Sequence, residues 1–295
     1  MSTKKPKSDS ANLPRSRKDN GPKDTGFYNN RLVRVFAELR SAGRHTLMPF
    51  ITAGYPDLET TEALLADFER RGVRICEIGI PFSDPIADGP TIQASFTEAL
   101  EAGVTVAKIF QMIRRYRDAG GKLALTAMGS YSIIYRHGPA AYVAEAAAAG
   151  FDGLIIPDLP LEEAGAIEPL AARHSLANVL LIAPTTPPQR RLEIAARSQA
   201  FIYYISVAGV TGQRDSLPPE TIDGVTELRA HTDTPICVGF GISKPETVAG
   251  ICRVADGAIV GSAIIRRITD HKAQPRELLV AKVGEFVSEL LKPLS

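Results

Sequence analysis

The stretch "TLMPFITAGYPDLETTEALLADFERRGVRICEIGI", residues 46 to 80, decides the fold. It opens on an apolar run, "TLMPFIT" (46–52), and breaks at Gly54 and Pro56. An amphipathic segment follows, "LETTEALLADFERRG" (58–72), and then a second apolar run, "VRICEIGI" (73–80). Short runs that are apolar on both faces suit strands covered from both sides. Two such strands joined by a helix are parallel and linked by a right-handed crossover.

The theme recurs to the end of the chain. Further runs are "KLALTAM" (122–128), "DGLIIP" (152–157), "NVLLIAP" (178–184), "AFIYYIS" (200–206), "PICVGF" (235–240) and "DGAIVG" (256–261), with helix-like segments such as "VTVAKIFQMIRRYRDAGG" and "PAAYVAEAAAAG" between them. Eight strand–helix units in roughly 250 residues describe a closed (β/α)₈ barrel of the α/β class. Residues 29–43 read as an extra helix over the bottom of the barrel, and 275–291 as a last amphipathic helix. An open doubly wound sheet would want a Gly-rich dinucleotide turn after the first strand, and "ITAGYPD" does not supply it.

The reading gives a barrel domain over 27–295 and a tail over 1–26. The tail, "MSTKKPKSDSANLPRSRKDNGPKDTG", carries a net charge of +4 and the remainder −3. It has almost no large apolar residue, so disorder is expected. Its basic residues are scattered and no aromatics interleave them, which favours a solvated extension over a nucleic-acid or membrane arm. It lacks the apolar region of a signal peptide, and no run approaches the ~18 apolar residues of a membrane span. Cys76, Cys237 and Cys252 show no paired spacing and read as buried thiols of a reducing cytoplasm.

In a barrel the chemistry sits at the strand C-termini. Those ends hold Phe50 and Thr52, Glu77 and Gly79, Met128, Pro157 and Asp158, Pro184 and Thr185, Tyr203 and Ser206, Gly239 to Gly241, and Gly261 with Ser262. A Schiff-base lysine is missing from them: Lys122 lies at the wrong end of its strand, and Lys108 and Lys244 lie in a helix and a loop. The five histidines fall outside the strand ends, so neither a metal cluster nor a Ser–His–Asp triad forms. Carboxylate acid–base chemistry remains. Ile75, Glu77 and Gly79 share one strand face, which points Glu77 into the apolar barrel mouth, where desolvation raises its pKa toward working pH. The plainer alternative is a structural glutamate paired with an arginine.

"GFGIS" (239–243) and "VGSA" (260–263) place glycines just before helices, an arrangement that seats a phosphate or merely permits tight turns. A third glycine-bearing loop, "SVAGVTGQRDS" (206–216), is long enough for a lid.

"PFITAGYPDLETT", "CEIGIPFSDPIADGPTIQ", "GLIIPDLPLEEA", "LIAPTTP", "YYISVAGVTG", "VGFGIS" and "IVGSAI" resemble, in order and spacing, the tryptophan synthase alpha chain family over residues 32–268. The resemblance implies a cytoplasmic lyase of tryptophan biosynthesis. It would cleave indole-3-glycerol phosphate to indole and glyceraldehyde 3-phosphate without Schiff base or metal. Glu77 matches the family's acid–base glutamate and Asp88 its loop aspartate, which takes the indole N–H. Phe50, Tyr203 and Phe240 match residues around the indole, Thr211 the lid threonine, and Gly212, Gly241, Gly261 and Ser262 the phosphate positions. The implied partner is a beta chain in an α₂β₂ complex, with pyridoxal phosphate only in that beta chain and no cofactor here. Two departures stand out: Ser130 and Ser132 replace the family's usual tyrosine and asparagine at its beta-chain contact, and Val207 stands where the lid usually has arginine. Both bear on coupling more than on chemistry. The rivals are a free-standing lyase that releases indole, a catalytically idle activating subunit, and a nucleic-acid binder acting through the tail.

Overall fold

The computed structural model describes residues 29–85, 88–206, 218–239 and 241–294. The tail expected over 1–26 lies outside them, as do Val207, Thr211, Gly212 and Phe240. Among the described residues nine strands form one parallel sheet: β1 (Thr46–Thr52), β2 (Ile75–Gly79), β3 (Ala124–Met128), β4 (Gly153–Ile155), β5 (Ala177–Val179), β6 (Leu181–Ile182), β7 (Ile202–Ile205), β8 (Ile236–Gly239) and β9 (Gly257–Val260). Their order is β5-β4-β3-β2-β1-β9-β8-β7-β6. Its two ends, β5 and β6, are separated in the chain by Leu180 alone, so the sheet closes on itself as a (β/α)₈ barrel.

The fifth expected run is therefore two strands, one paired with β4 and the other with β7. The cause is local. The Leu180 N–H donates to the Ser198 hydroxyl rather than to a neighbouring strand, while its carbonyl accepts from Tyr203 N–H. The run thus passes its hydrogen bonds from one neighbour to the other at that residue.

Alternation divides the side chains into two cores. Leu47, Ile51, Cys76, Ile78, Leu125 and Leu154 point outward against the helices. Met48, Ile75, Ala124, Ile155, Val179, Phe201 and Cys237 point inward. Three of the outer helices bear on the site: α2 (Leu58–Arg70) in the first crossover, then α3 (Pro90–Glu101) and α4 (Val106–Asp118) between β2 and β3. A short helix, Tyr131–His137, follows β3, and the last long one spans Arg276–Leu291. All three cysteines are free and buried.

The expected bottom helix is α1 (Arg31–Ser41), and its Leu32, Val35, Phe36 and Leu39 complete the inner core. Its position follows from Asn30. The Asn30 side chain caps α1 by accepting from the N–H groups of Leu32 and Val33, and its amide donates to the carbonyls of Asp152 and Ser175 at 2.7 and 2.8 Å. Asp152, in turn, pairs with Arg31 and Arg117. Replacing Asn30 with Ala removes the cap and strands two carbonyls. The expected cost is about 2 kcal/mol, or several degrees in Tm, with kcat unchanged because the site lies at the other end. Calorimetry beside an activity assay checks it; an unchanged Tm would show that α1 is held by its apolar face alone.

Candidate active site

Glu77 stands on β2 in register with Phe50 of β1 and Thr126 of β3. It is 0% exposed, and neither carboxyl oxygen has a hydrogen-bond partner among the described residues. Among the described residues no arginine pairs with it, which speaks against the plainer structural reading. Burial first, and then the charge of Asp88, push its pKa up to about 8. Asp88, at the end of the β2–α3 loop, is shifted up to about 6 by burial. Near neutral pH the two acids therefore divide into a protonated Glu77 and a largely ionised Asp88.

The loop that carries Asp88 is braced through its backbone. Asp88 N–H donates to the Pro85 carbonyl, and Gln93 on α3 donates to the carbonyls of Asp88 and Pro85 at 2.8 and 3.2 Å. Helix α3 is in turn pinned to β1, since the Thr52 and Ser95 hydroxyls lie 2.6 Å apart in a buried pair. The carboxylate of Asp88 takes no part in this bracing.

Phe50, Tyr203, Glu77 and Asp88 line one cavity of about 80 Å³, together with Gly241, Gly261 and Ser262. Glycine at 79 makes room for one wall, because a Cβ there would sit 2.4 Å from Phe50 Cζ. Burial, then the charges of Glu77 and Asp88, hold the Tyr203 phenol well above its ordinary pKa, so it stays neutral. Gly261 caps the helix Ser262–His271, and its carbonyl accepts from Ile264 and Ile265 N–H. Gly241 has φ +70°, the left-handed region that favours glycine. The sequence reading placed it just before a helix, but the helix Pro245–Ile251 begins further along, after Lys244. One helix N-terminus and a glycine turn thus line the same cavity as the two acids, a candidate seat for an anion.

Thr126 was not among the sequence candidates. Its hydroxyl is fully buried without a partner among the described residues, like the carboxyl beside it in register. Alternation places it inward with Met128, so the signal was present one step below the strand end. Ser130 and Ser132 differ in role. Ser130 caps the Tyr131–His137 helix and donates to Asp158 at 2.6 Å, whereas Ser132 is exposed.

A family model described as "Tryptophan synthase alpha chain" matches residues 36–293. The chain belongs to the tryptophan synthase alpha chain family. The alpha chain of Chloroflexus aggregans is 49% identical over 262 residues, covering 89% of this chain and 97% of that relative. A crystal structure of the alpha subunit from Legionella pneumophila superposes with a TM-score of 0.82 at 31% identity, over 90% of this chain and 98% of that one. The tryptophan synthase complex of Pyrococcus furiosus gives 0.75 at 32% identity, over 84% and 99%. Among the described residues no helix is long and apolar enough to cross a membrane.

The seat permits a test within this tryptophan synthase alpha chain fold. Gly261 has φ −109°, so a side chain there adds little backbone strain, unlike one at Gly241. A Cβ would meet Phe50 at 3.4 Å, and the two further methyls of valine would reach past it into the seat. Gly261→Val is expected to raise KM for a phosphorylated substrate by about tenfold, the scale of one lost charge-assisted hydrogen bond. Equal thermal protection of wild type and variant by glycerol phosphate would place the seat elsewhere.

Proposed function

We propose that the chain cleaves indole-3-glycerol phosphate to indole and glyceraldehyde 3-phosphate, as the alpha partner of a tryptophan synthase beta chain in an α₂β₂ complex of the cytoplasm. The chemistry is acid–base and draws on no cofactor in this chain, pyridoxal phosphate belonging to the beta chain. The observation that carries this reading is the fully buried, unpaired Glu77 in one cavity with Asp88 and the Gly241–Gly261–Ser262 seat.

The steps follow from those positions. The phosphate sits at the N-terminus of the Ser262–His271 helix and the glycine turn, where N–H groups and the helix dipole favour an anion. The indole lies across the cavity between Phe50 and Tyr203. Protonated Glu77 gives its proton to indole C3, and positive charge develops at the ring nitrogen, whose N–H points at the ionised Asp88. The bond from C3 to the side-chain carbinol carbon then breaks and its electron pair returns to the ring. The carbinol hydroxyl becomes the aldehyde, losing its proton to the Glu77 carboxylate. Atoms and charge balance, and Glu77 ends as it began.

The pH profile tests the role assignment. In the free protein Asp88 must be ionised, which fails below about 6, and Glu77 protonated, which fails above about 8. A bell-shaped kcat/KM between those limbs is expected for indole release. A profile flat from pH 5.5 to 9 would remove both carboxyls from the chemistry. Indole release from indole-3-glycerol phosphate, with and without a beta chain, tests the activity itself; no release in either case would overturn it.

A further inference from the structure

The cavity with Glu77 is the smaller of two adjoining chambers. The second, of about 380 Å³, is lined by Ile80, Phe82, Phe96 and, at its rim, Asp84, Ser132 and Asp158. Asp88, Met128 and Pro157 line both chambers and form the boundary between them. The phosphate seat lies in the first chamber only.

The geometry points to the second chamber as a specificity pocket that admits substituents on the benzo ring of the substrate, carried at C6, and that rejects anionic ones. The inference rests on the proposed reaction. With the phosphate at the seat, C3 at Glu77 and the ring N–H at Asp88, the ring edge farthest from the side chain and on the N–H side is C6. That edge faces Asp88, Met128 and Pro157, and past them lies the second chamber.

The walls set the chemistry of what enters. Ile80 and Phe96 are buried apolar surface, so a methyl or halogen there leaves water for an apolar contact. The polar side is acidic. Asp84, Asp88 and Asp158 all line the chamber. Asp158 is held in place by the Ser130 hydroxyl and Tyr131 N–H at 2.6 and 2.8 Å, and Asp84 accepts from Ser83 at 2.7 Å. Among the described residues no lysine, arginine or histidine lines it. A carboxylate substituent would bring a like charge against three carboxyls, whereas a neutral group is free of that penalty.

Three substrates test the pocket on the full-length protein: indole-3-glycerol phosphate and its 6-methyl and 6-carboxy analogues. For wild type, kcat/KM for the 6-methyl analogue is expected within fivefold of the parent, and for the 6-carboxy analogue at least 30-fold lower. Ser132 lines the chamber rim, and its hydroxyl makes no hydrogen bond among those of the described residues, so Ser132→Phe narrows the chamber without breaking one. Measured on the full-length chain without a beta chain, whose family contact includes Ser132, it should lower kcat/KM for the 6-methyl analogue at least tenfold, leave the parent within twofold, and be matched by no such effect in Ser132→Ala. A loss of more than fivefold for the 6-methyl analogue on wild type, equal use of both analogues, or equal effects of Ser132→Phe on parent and analogue would each overturn the pocket. Calorimetric binding of indole-3-propanol phosphate and its 6-methyl form separates this result from the activity. If the parent substrate is not cleaved, the reaction reading fails, and the ratio of those two affinities, judged by the same fivefold limit, still decides the pocket.

Discussion

Glu77→Gln is expected to bind substrate normally and to lose at least ~10²-fold in kcat, the usual scale for a missing general acid or base. The amide keeps the shape of the side chain in a wall formed by Phe50 and Thr126, but it has no proton to give to C3. The same substitution has an opposite effect on stability. The Glu77 carboxyl has its pKa raised from 4.5 to about 8 in the folded chain, so the native state holds a proton that the unfolded state releases. Stability tied to this group is complete below about 4.5 and is lost as pH rises through about 8. The variant lacks that loss. Its Tm should therefore gain on wild type as pH rises from 5 to 9, while single-turnover cleavage stays abolished. A variant retaining a tenth of the wild-type rate would remove Glu77 from the chemistry, and a Tm difference independent of pH would show that its carboxyl is not held protonated.

Asp88→Asn is the second large effect, expected to lower kcat by ~10²-fold, as for a lost group facing developing charge. The loop should survive the change, because Pro85 and Gln93 hold it through the backbone of residue 88 and not through the carboxylate. Tm is accordingly expected to move little. The substitution also removes one of the causes that raise the Glu77 pKa, so the alkaline limb of the residual activity should shift to lower pH. A sharp fall in Tm together with activity would make Asp88 a structural residue.

The features that were legible in the sequence were those set by periodicity along one segment. The apolar runs marked the strands, and alternation within "RICEIGI" turned Glu77 inward, where the structure buries it. The bottom helix was legible because Leu32, Val35, Phe36 and Leu39 share one face. What escaped depends on contacts between distant segments. The break at Leu180 arises from the hydroxyl of Ser198, eighteen positions on. The pinning of α3 by Thr52 and Ser95 spans 43 positions, and the unpartnered hydroxyl of Thr126 matters only because β3 lies beside β2. No pattern within one run reports such pairings.

The break at Leu180 makes the ring uneven. β1 and β2 match at three residue positions and β2 and β3 at five, whereas β6 meets β7 at only two, Leu181 with Tyr203 and Ile182 with Tyr204. Local opening of a folded protein starts where few hydrogen bonds must break together. The wall is therefore expected to breathe first at this seam, with the amide of Tyr203, which donates across it to the Leu180 carbonyl, exchanging with solvent ahead of those in β2 and β3. Leu181 and Tyr203 belong to the cavity and Glu77 to the firm side across from them. The barrel thus holds its acid on a rigid support and faces it with a yielding one, so that an aromatic ring can be admitted without moving the group that must deliver a proton to it.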